Sequence, residues 1–286
     1  MTQPFMKMNG LGNDFVVIDG RAARLDLADD VVRAIANRET GIGCDQLIVI
    51  DAGQDSAHAG MRIWNHDGGE VDACGNATRC VAQFLMDESG QPQVLIDTNA
   101  GRLVCSPGGD GLVTVDMGAP RFEWEQIPIA ERMDTRTLDL RLGPIDNPVL
   151  FGPSAVNVGN PHCIFFVDDV TAHQLDKVGP LIENHMLFPE RVNVSLVEIR
   201  SPTSFRQRVW ERGVGITRAC GTAACASVPA AARRQMAERA VDVELDGGTL
   251  HIDWREADGH IYMTGPTQFD YAGEIPDALM TVGADA

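Results

Sequence analysis

Residues 61–77 read MRIWNHDGGEVDACGNA, and residues 207–223 read QRVWERGVGITRACGTA. The two stretches align without a gap: 208 − 62, 210 − 64 and 220 − 74 all equal 146. Each begins as a short strand-like run and reaches a Cys nine residues after Asn65 or Glu211, directly before Gly and a small polar residue. After Cys74 the hydrophobic period changes. Ala77, Cys80, Val81, Phe84 and Leu85 fall on one face of a helix, and Gly90 supplies its stop. The pattern predicts strand, loop, then a helix that starts at Cys, written twice.

The repeat extends outward from there. Asn13 matches Asn160, Asn37 matches Asn184, Gln46 matches Asn193, Gly101 matches Gly248 and Gly118 matches Gly265, each pair 147 apart. One such match carries no weight, but a collinear set marks a duplicated unit, and its period is far too long for a solenoid. The expected halves are roughly 10–118 and 157–265. Apolar runs predict buried strands at 15–18, 47–50, 61–64, 94–96, 102–104 and 112–115, and helical spacing predicts a short helix within 26–37. Residues 118–133, with Pro120 and Pro128 and little periodicity, are expected to link the halves. Pro229 is expected to kink or end the second helix.

A formal charge of 23 − 41 = −18 excludes a nucleic-acid partner, which needs a basic face, and an anionic membrane surface. It does not exclude an anionic metabolite, which meets only its local site. There is no apolar leader at 1–10 and no run of 18 apolar residues. Seven cysteines, an odd number, fit free thiols in a reducing cytoplasm better than a disulfide framework.

A Cys where a loop enters a helix sits beside unpaired backbone N–H groups and the positive end of the helix dipole. That place binds a carboxylate and is expected to lower the thiol pKa toward neutrality. Two such helix starts related by the repeat would grip one carboxylate, with a sulfur on either side of the adjacent carbon. One thiolate would remove the α-proton while the opposite thiol protonates the other face, and the N–H groups would hold the charge that builds on the carboxylate. Cys44, Cys80, Cys105, Cys163 and Cys225 fit small buried core residues. Spacings of six and five residues in Cys74–Cys80 and Cys220–Cys225 suit neither a zinc knuckle nor a facing helical pair, so no metal is expected. Asn13 and Asn160, Gln46 and Asn193, and Asn65 and Glu211 are matched polar positions at strand ends or loops, each also readable as a turn residue. Where the copies differ, Glu211-Arg212 opposite Asn65 offers a second ammonium and carboxylate grip. His162, after Gly159-Asn160-Pro161, is placed to position or polarise a group. Arg218 brings a positive charge near the second thiol.

Together these stretches resemble the diaminopimelate epimerase family from end to end. The resemblance rests on Gly10-Leu11-Gly12-Asn13-Asp14-Phe15, Gly43-Cys44-Asp45-Gln46, Asp72-Ala73-Cys74-Gly75-Asn76-Ala77-Thr78-Arg79-Cys80, Gly159-Asn160-Pro161-His162-Cys163, Pro189-Glu190-Arg191-Val192-Asn193-Val194 and Trp210-Glu211-Arg212-Gly213 with Ala219-Cys220-Gly221-Thr222-Ala223. It implies an α/β (α+β) fold of two pseudo-symmetric domains, residues 1–119 with 267–286 and residues 120–266. Each would be a mostly antiparallel curved sheet or barrel around a central helix, with the active site in the cleft between them. It implies a cofactor-independent interconversion of LL- and meso-diaminopimelate, serving lysine and peptidoglycan biosynthesis, in a cytoplasmic homodimer. Cys74 and Cys220, with His162 and Glu211, would be catalytic. Asn13, Gln46, Asn65, Gly75, Asn76, Asn160, Asn193, Glu211, Arg212, Gly221 and Thr222 would bind substrate. The competing expectation is a related two-base racemase, such as a proline racemase-like enzyme, for which Glu211 and Arg212 would have no use.

Overall fold

The computed structural model describes residues 3–72, 74–144 and 146–282. Ala73 of the first cysteine stretch, and the ends 1–2 and 283–286 of the first expected domain, lie outside them. The chain forms two compact units, Met1–Val115 with Gly265–Ala286, and Asp116–Thr264.

Unit 1 begins with strands β1 (Gln3–Gly10) and β2 (Asn13–Asp19). Helix α1 (Asp29–Ala36) and strands β3 (Gln46–Ala52), β4 (Ala59–Asn65) and β5 (Glu70–Val71) follow. Then come helix α2 (Gly75–Ser89) and strands β6 (Val94–Thr98), β7 (Gly101–Gly109) and β8 (Leu112–Asp116). The two residues joining β1 to β2, Leu11 and Gly12, both have positive φ (59° and 80°). That is the twist-matched two-residue hairpin turn, and it sets Asn13 at the head of β2. β2 and β3 are buried on both faces. Val16, Ile18, Leu47 and Val49 pack with Val31, Val32 and Ile35 of α1. The alternate residues Phe15, Val17, Ile48 and Ile50 are equally buried. Helix α2 packs on β1, β2, β6 and β7 and is buried from Gly75 through Ala82, which makes it the centre of the unit. It ends at Gly90 in the left-handed conformation (φ 67°).

Unit 2 contains β9 (Arg141–Leu142), β10 (Leu150–Phe151), β11 (Ser154–Asn157), β12 (Pro161–Phe166), helix α3 (Leu175–Glu183), β13 (Asn193–Ser201), β14 (Ser204–Glu211) and β15 (Gly215–Thr217). Helix α4 (Gly221–Arg233) and strands β16 (Ala240–Leu245), β17 (Gly248–Trp254) and β18 (Ile261–Gly265) complete it. The remaining strand, β19 (Gln268–Ile275), runs antiparallel to β1, and the short helix α5 (Asp277–Met280) packs on α1.

The pairing scheme of unit 1 recurs in unit 2. β1–β2 antiparallel, β2–β3 parallel, β3–β4 antiparallel and β4–β6 parallel correspond to β11–β12, β12–β13, β13–β14 and β14–β16 with the same senses. Register is kept as well. Phe15 faces Gln46 and His162 faces Asn193, while Leu47 faces Trp64 and Val194 faces Trp210. The change of offset from 147 to 146 has a structural cause. β3 and β4 are joined by a six-residue loop, 53–58, whereas β13 and β14 close as a tight hairpin with Ser201 opposite Ser204 and an irregularity at Ile199. The lost residue is recovered between α4 and β16, since Ala59 faces Ile96 as Phe205 faces Val243 (205 − 59 = 146, 243 − 96 = 147).

Two expectations are corrected. Residues 118–133 are more than a link: Ile127 and Ile129, with Leu138, Leu140 and Leu150 beyond them, join the core of unit 2. Their backbone is mostly irregular, so burial left no periodic trace in sequence. Of the two outcomes expected at Pro229, the ending of the helix is the one overturned: α4 continues to Arg233. An interior proline costs about 3 kcal/mol. Here α4 is buried from Ala223 through Ala231, and packing of that apolar stretch outweighs the local penalty. No described helix is long and apolar enough to cross a membrane.

Candidate active site

Cys74 and Cys220 are the N-cap residues of α2 and α4, with nearly the same extended backbone (φ −144°, ψ 111° and φ −129°, ψ 109°). The first intrahelical bonds run from Thr78 N–H to Cys74 O (2.9 Å) and from Ala224 N–H to Cys220 O (3.2 Å). Neither helix has a side-chain cap or an acidic residue in its first turn. The N–H groups of Gly75 and Asn76, and of Gly221 and Thr222, therefore have no acceptor within their helices.

In unit 1 the Cys74 thiol lies 3.8 Å from Asn13 Oδ1, which also accepts from Asn76 Nδ2 at 3.4 Å. Arg79, fully buried, donates to Asn76 Oδ1 at 2.8 Å. Gln46 and Asn65 are cross-strand neighbours, and Gln46 Nε2 donates to Asn65 Oδ1 at 2.9 Å. The six site residues expected in this half thus form two hydrogen-bonded groups, Asn13–Cys74–Asn76 beside Gly75, and Gln46–Asn65.

In unit 2 Cys220 Sγ is 3.5 Å from Thr222 Oγ1, and Asn160 Nδ2 donates to that hydroxyl at 3.3 Å. His162 Nε2 meets Asn160 Oδ1 at 2.8 Å. Asn193 donates to Pro161 O (2.9 Å) and accepts from the Arg212 backbone N–H (2.9 Å). The Arg212 guanidinium donates to Glu190 O, and among the described residues no carboxylate pairs with it. Glu211 accepts from the Thr217 hydroxyl and is hydrogen-bonded to Cys220. Thr217 and Glu183 were not singled out from sequence. Glu183 accepts from Trp210 Nε1 (2.7 Å), Gly213 N–H (2.9 Å) and Arg191 (3.4 Å), so it fixes the strand end that carries Glu211. An acidic residue in a helix gives no sequence signal for that role.

The electrostatics differ from expectation. Burial pushes the Cys220 thiol well above the ordinary thiol range, and the Glu211 charge adds to the shift; the Thr222 hydroxyl opposes it. The helix start does not bring this thiol toward neutrality, because desolvation and a neighbouring carboxylate dominate. Arg218 is exposed, and the charge Cys220 feels is that of Glu211. Glu211 itself is raised by burial, against hydrogen bonds from Thr217 and Cys220. Burial, with a contribution from Arg212, lowers the His162 imidazole to about 3. A ring held neutral across the physiological range does not suit an acid or base, and its Nε2 is engaged with Asn160. Cys44 and Cys80 are raised by burial to about 11 and about 12, which suits inert core thiols. Among the described residues no group of three His, Cys, Asp or Glu side chains could hold a metal ion.

The family model for diaminopimelate epimerase matches residues 5–123 and 154–269. This chain belongs to the diaminopimelate epimerase family. It is 52% identical over 276 residues to the diaminopimelate epimerase of Phenylobacterium zucineum, covering 96% of this chain and 99% of that one. It is 51% identical over 286 residues to that of Caulobacter vibrioides, covering 98% and 99%. Among solved structures, a predicted epimerase from Pseudomonas aeruginosa shares the fold with a TM-score of 0.67 at 17% identity, over 96% of this chain and 99% of that chain. The expected fold class, mixed α/β with two repeated halves, is the one observed, and membership in the diaminopimelate epimerase family makes the protein an isomerase.

Proposed function

We propose that this protein interconverts LL- and meso-2,6-diaminopimelate without a cofactor, using Cys74 and Cys220 as a two-base pair, and so serves lysine and peptidoglycan synthesis. The observation that carries the reading is that both cysteines cap buried helices whose first N–H groups are available for a carboxylate. Gly75, Asn76, Gly221 and Thr222 hold the reacting carboxylate through those groups, where negative charge develops as the α-proton leaves. One sulfur takes that proton and the other delivers one to the opposite face. Glu211, hydrogen-bonded to Cys220, is the group that exchanges a proton with a thiol too basic to ionise unaided. His162 holds Asn160. Asn13 and Asn160 frame the reacting centre, Gln46 supports Asn65, and Asn65, Asn193 and Arg212 bind the distal carboxylate. An Arg212 guanidinium that donates to a backbone carbonyl, with no carboxylate partner among the described residues, supports a second carboxylate and speaks against a monocarboxylate such as proline. The distal ammonium falls to Glu211 in the family pattern; its bonds to Thr217 and Cys220 favour the proton role.

Solvent deuterium incorporation at the α-carbons of LL- and meso-diaminopimelate, with proline as control, tests the proposal. Exchange confined to proline, or absent altogether, would overturn it. The proposed domains are residues 1–119 with 267–286, and 120–266, and the proposed setting is the cytoplasm. The proposed assembly is a homodimer. Phe269 and Tyr271 are 56% and 47% exposed on β19, apolar surface that a second copy would cover; a monomeric mass in sedimentation would contradict it.

A further inference from the structure

Asn13 and Asn160 occupy equivalent places in the repeat (160 − 13 = 147), yet their amides are held by opposite chemistry. Asp45 Oδ2 accepts from Asn13 Nδ2 at 3.0 Å and from the Asp14 backbone N–H at 3.1 Å. A carboxylate only accepts, so the amide turns its NH2 toward Asp45 and leaves Oδ1 facing the Cys74 thiol. Asn160 is turned the other way. Its Oδ1 lies against His162 Nε2 and its NH2 faces Thr222, which contacts Cys220. The supports are exchanged between the copies. The position matching Asp45 is Val192 (45 + 147), and the position matching His162 is Phe15 (162 − 147), both fully buried.

Asp45 is itself anchored. Its Oδ1 accepts from Arg38 at 2.7 Å, and its backbone N–H donates to Asp14 at 3.1 Å. Asp14 accepts from Lys7 and Arg38, and Lys7 is buried with a second bond to Gly43 O. Burial tends to raise the Asp14 carboxyl, but the hydrogen bonds and charges of Arg38 and Lys7 outweigh this and hold it at about 2. Asp14, so held, stays ionised at any pH where the enzyme would work.

We propose that Asp45 is a positioning residue for the epimerisation. It locks Asn13 with its carbonyl oxygen toward Cys74, whereas in the other copy the matching amide turns its NH2 to the Thr222 hydroxyl that lies against Cys220. The proposal rests on the two-cysteine reading of the site. An acceptor at Asn13 Oδ1 holds the Cys74 S–H in one direction and favours the thiol. A flipped amide would present NH2 and favour the thiolate instead.

Asp45→Ala frees the amide, whereas Asp45→Asn keeps a carbonyl oxygen that can still accept from Asn13 Nδ2. Both variants remove the Asp45 charge, and both leave Lys7, Asp14 and Arg38 behind Asn13 and Arg79 on Asn76. The first measurement is the rate at which iodoacetamide alkylates Cys74 at fixed pH in a Cys220→Ser background, followed on the Cys74 peptide. The second is kcat and KM in the native background. Asp45→Ala is expected to speed Cys74 alkylation several-fold and to lower kcat by roughly tenfold with little change in KM, and Asp45→Asn to recover most of both. Unchanged alkylation in Asp45→Ala, or an Asp45→Asn variant indistinguishable from it, would overturn the proposal. The alkylation comparison needs no substrate, so it decides the role of Asp45 even if wild-type protein fails to exchange α-protons.

Discussion

The Glu211 carboxyl and the Cys220 thiol share a hydrogen bond in a site where burial raises both groups. Two acids in one dry pocket cannot both ionise cheaply, so they titrate as a coupled pair, and the thiol is harder to ionise beside the charged carboxylate. Unit 1 has the neutral Asn65 at the matching position, so Glu211 has no counterpart there.

Glu211→Gln should therefore lower activity by about a hundredfold or more, the usual reach of a positioned acid or base, while stabilising the fold at neutral pH. The sign follows from the raised carboxyl. The folded state binds the extra proton, so stability is present below the unfolded value near pH 4 and is lost as pH rises through the folded one. The variant lacks that loss. Thermal melts at pH 4 and pH 8 check it, with the variant's advantage expected only at the higher pH.

His162 works in the opposite sense. Its folded value of about 3 lies below the unfolded 6.5, so the unfolded chain binds a proton that the folded one refuses. Its stability contribution is complete above pH 6.5 and falls as pH drops toward 3, with a slope of about 1.4 kcal/mol per pH unit for one group. His162→Gln, which keeps a donor for Asn160, should flatten denaturation midpoints between roughly pH 6 and 4 and retain partial activity.

Cys74→Ala and Cys220→Ala should each abolish epimerisation while circular dichroism and melting stay close to wild type, since one small side chain at a helix cap is removed in each case. Full turnover in either single variant would exclude the two-thiol chemistry.

Gly179 of α3 lies against the Trp210 ring. A Cβ there would come within 2.5 Å of Trp210 Cγ. Gly179→Ala should cost about 1–3 kcal/mol through overpacking. It should also disturb the neighbouring Glu211, so the denaturant midpoint and kcat are expected to fall together.

Much of this was legible because it is local. The switch from strand to helical period at each Cys, glycine after it, and the stop at Gly90 are written within twenty residues. The duplication is legible because its matches are collinear. Other features depend on residues distant in the chain. Asp45 stands in the quoted Gly43-Cys44-Asp45-Gln46 run, but nothing there says that its carboxylate meets Asn13, 32 residues away. The core residues Ile127 and Ile129 lie in irregular backbone and leave no period to read.

By itself, then, the sequence determined the two-copy architecture, the cysteines at two helix starts and the matched polar positions around them, because short-range periodicity and repeat spacing encode these directly. Only the tertiary structure decided how those groups are charged and turned. It raised the Cys220 thiol and kept the His162 imidazole neutral. It carried α4 through Pro229 and placed an anion behind Asn13 but an imidazole behind Asn160. Burial and hydrogen-bond partners are set by which strands lie side by side, and a pKa or an amide orientation follows from those neighbours rather than from the residue itself.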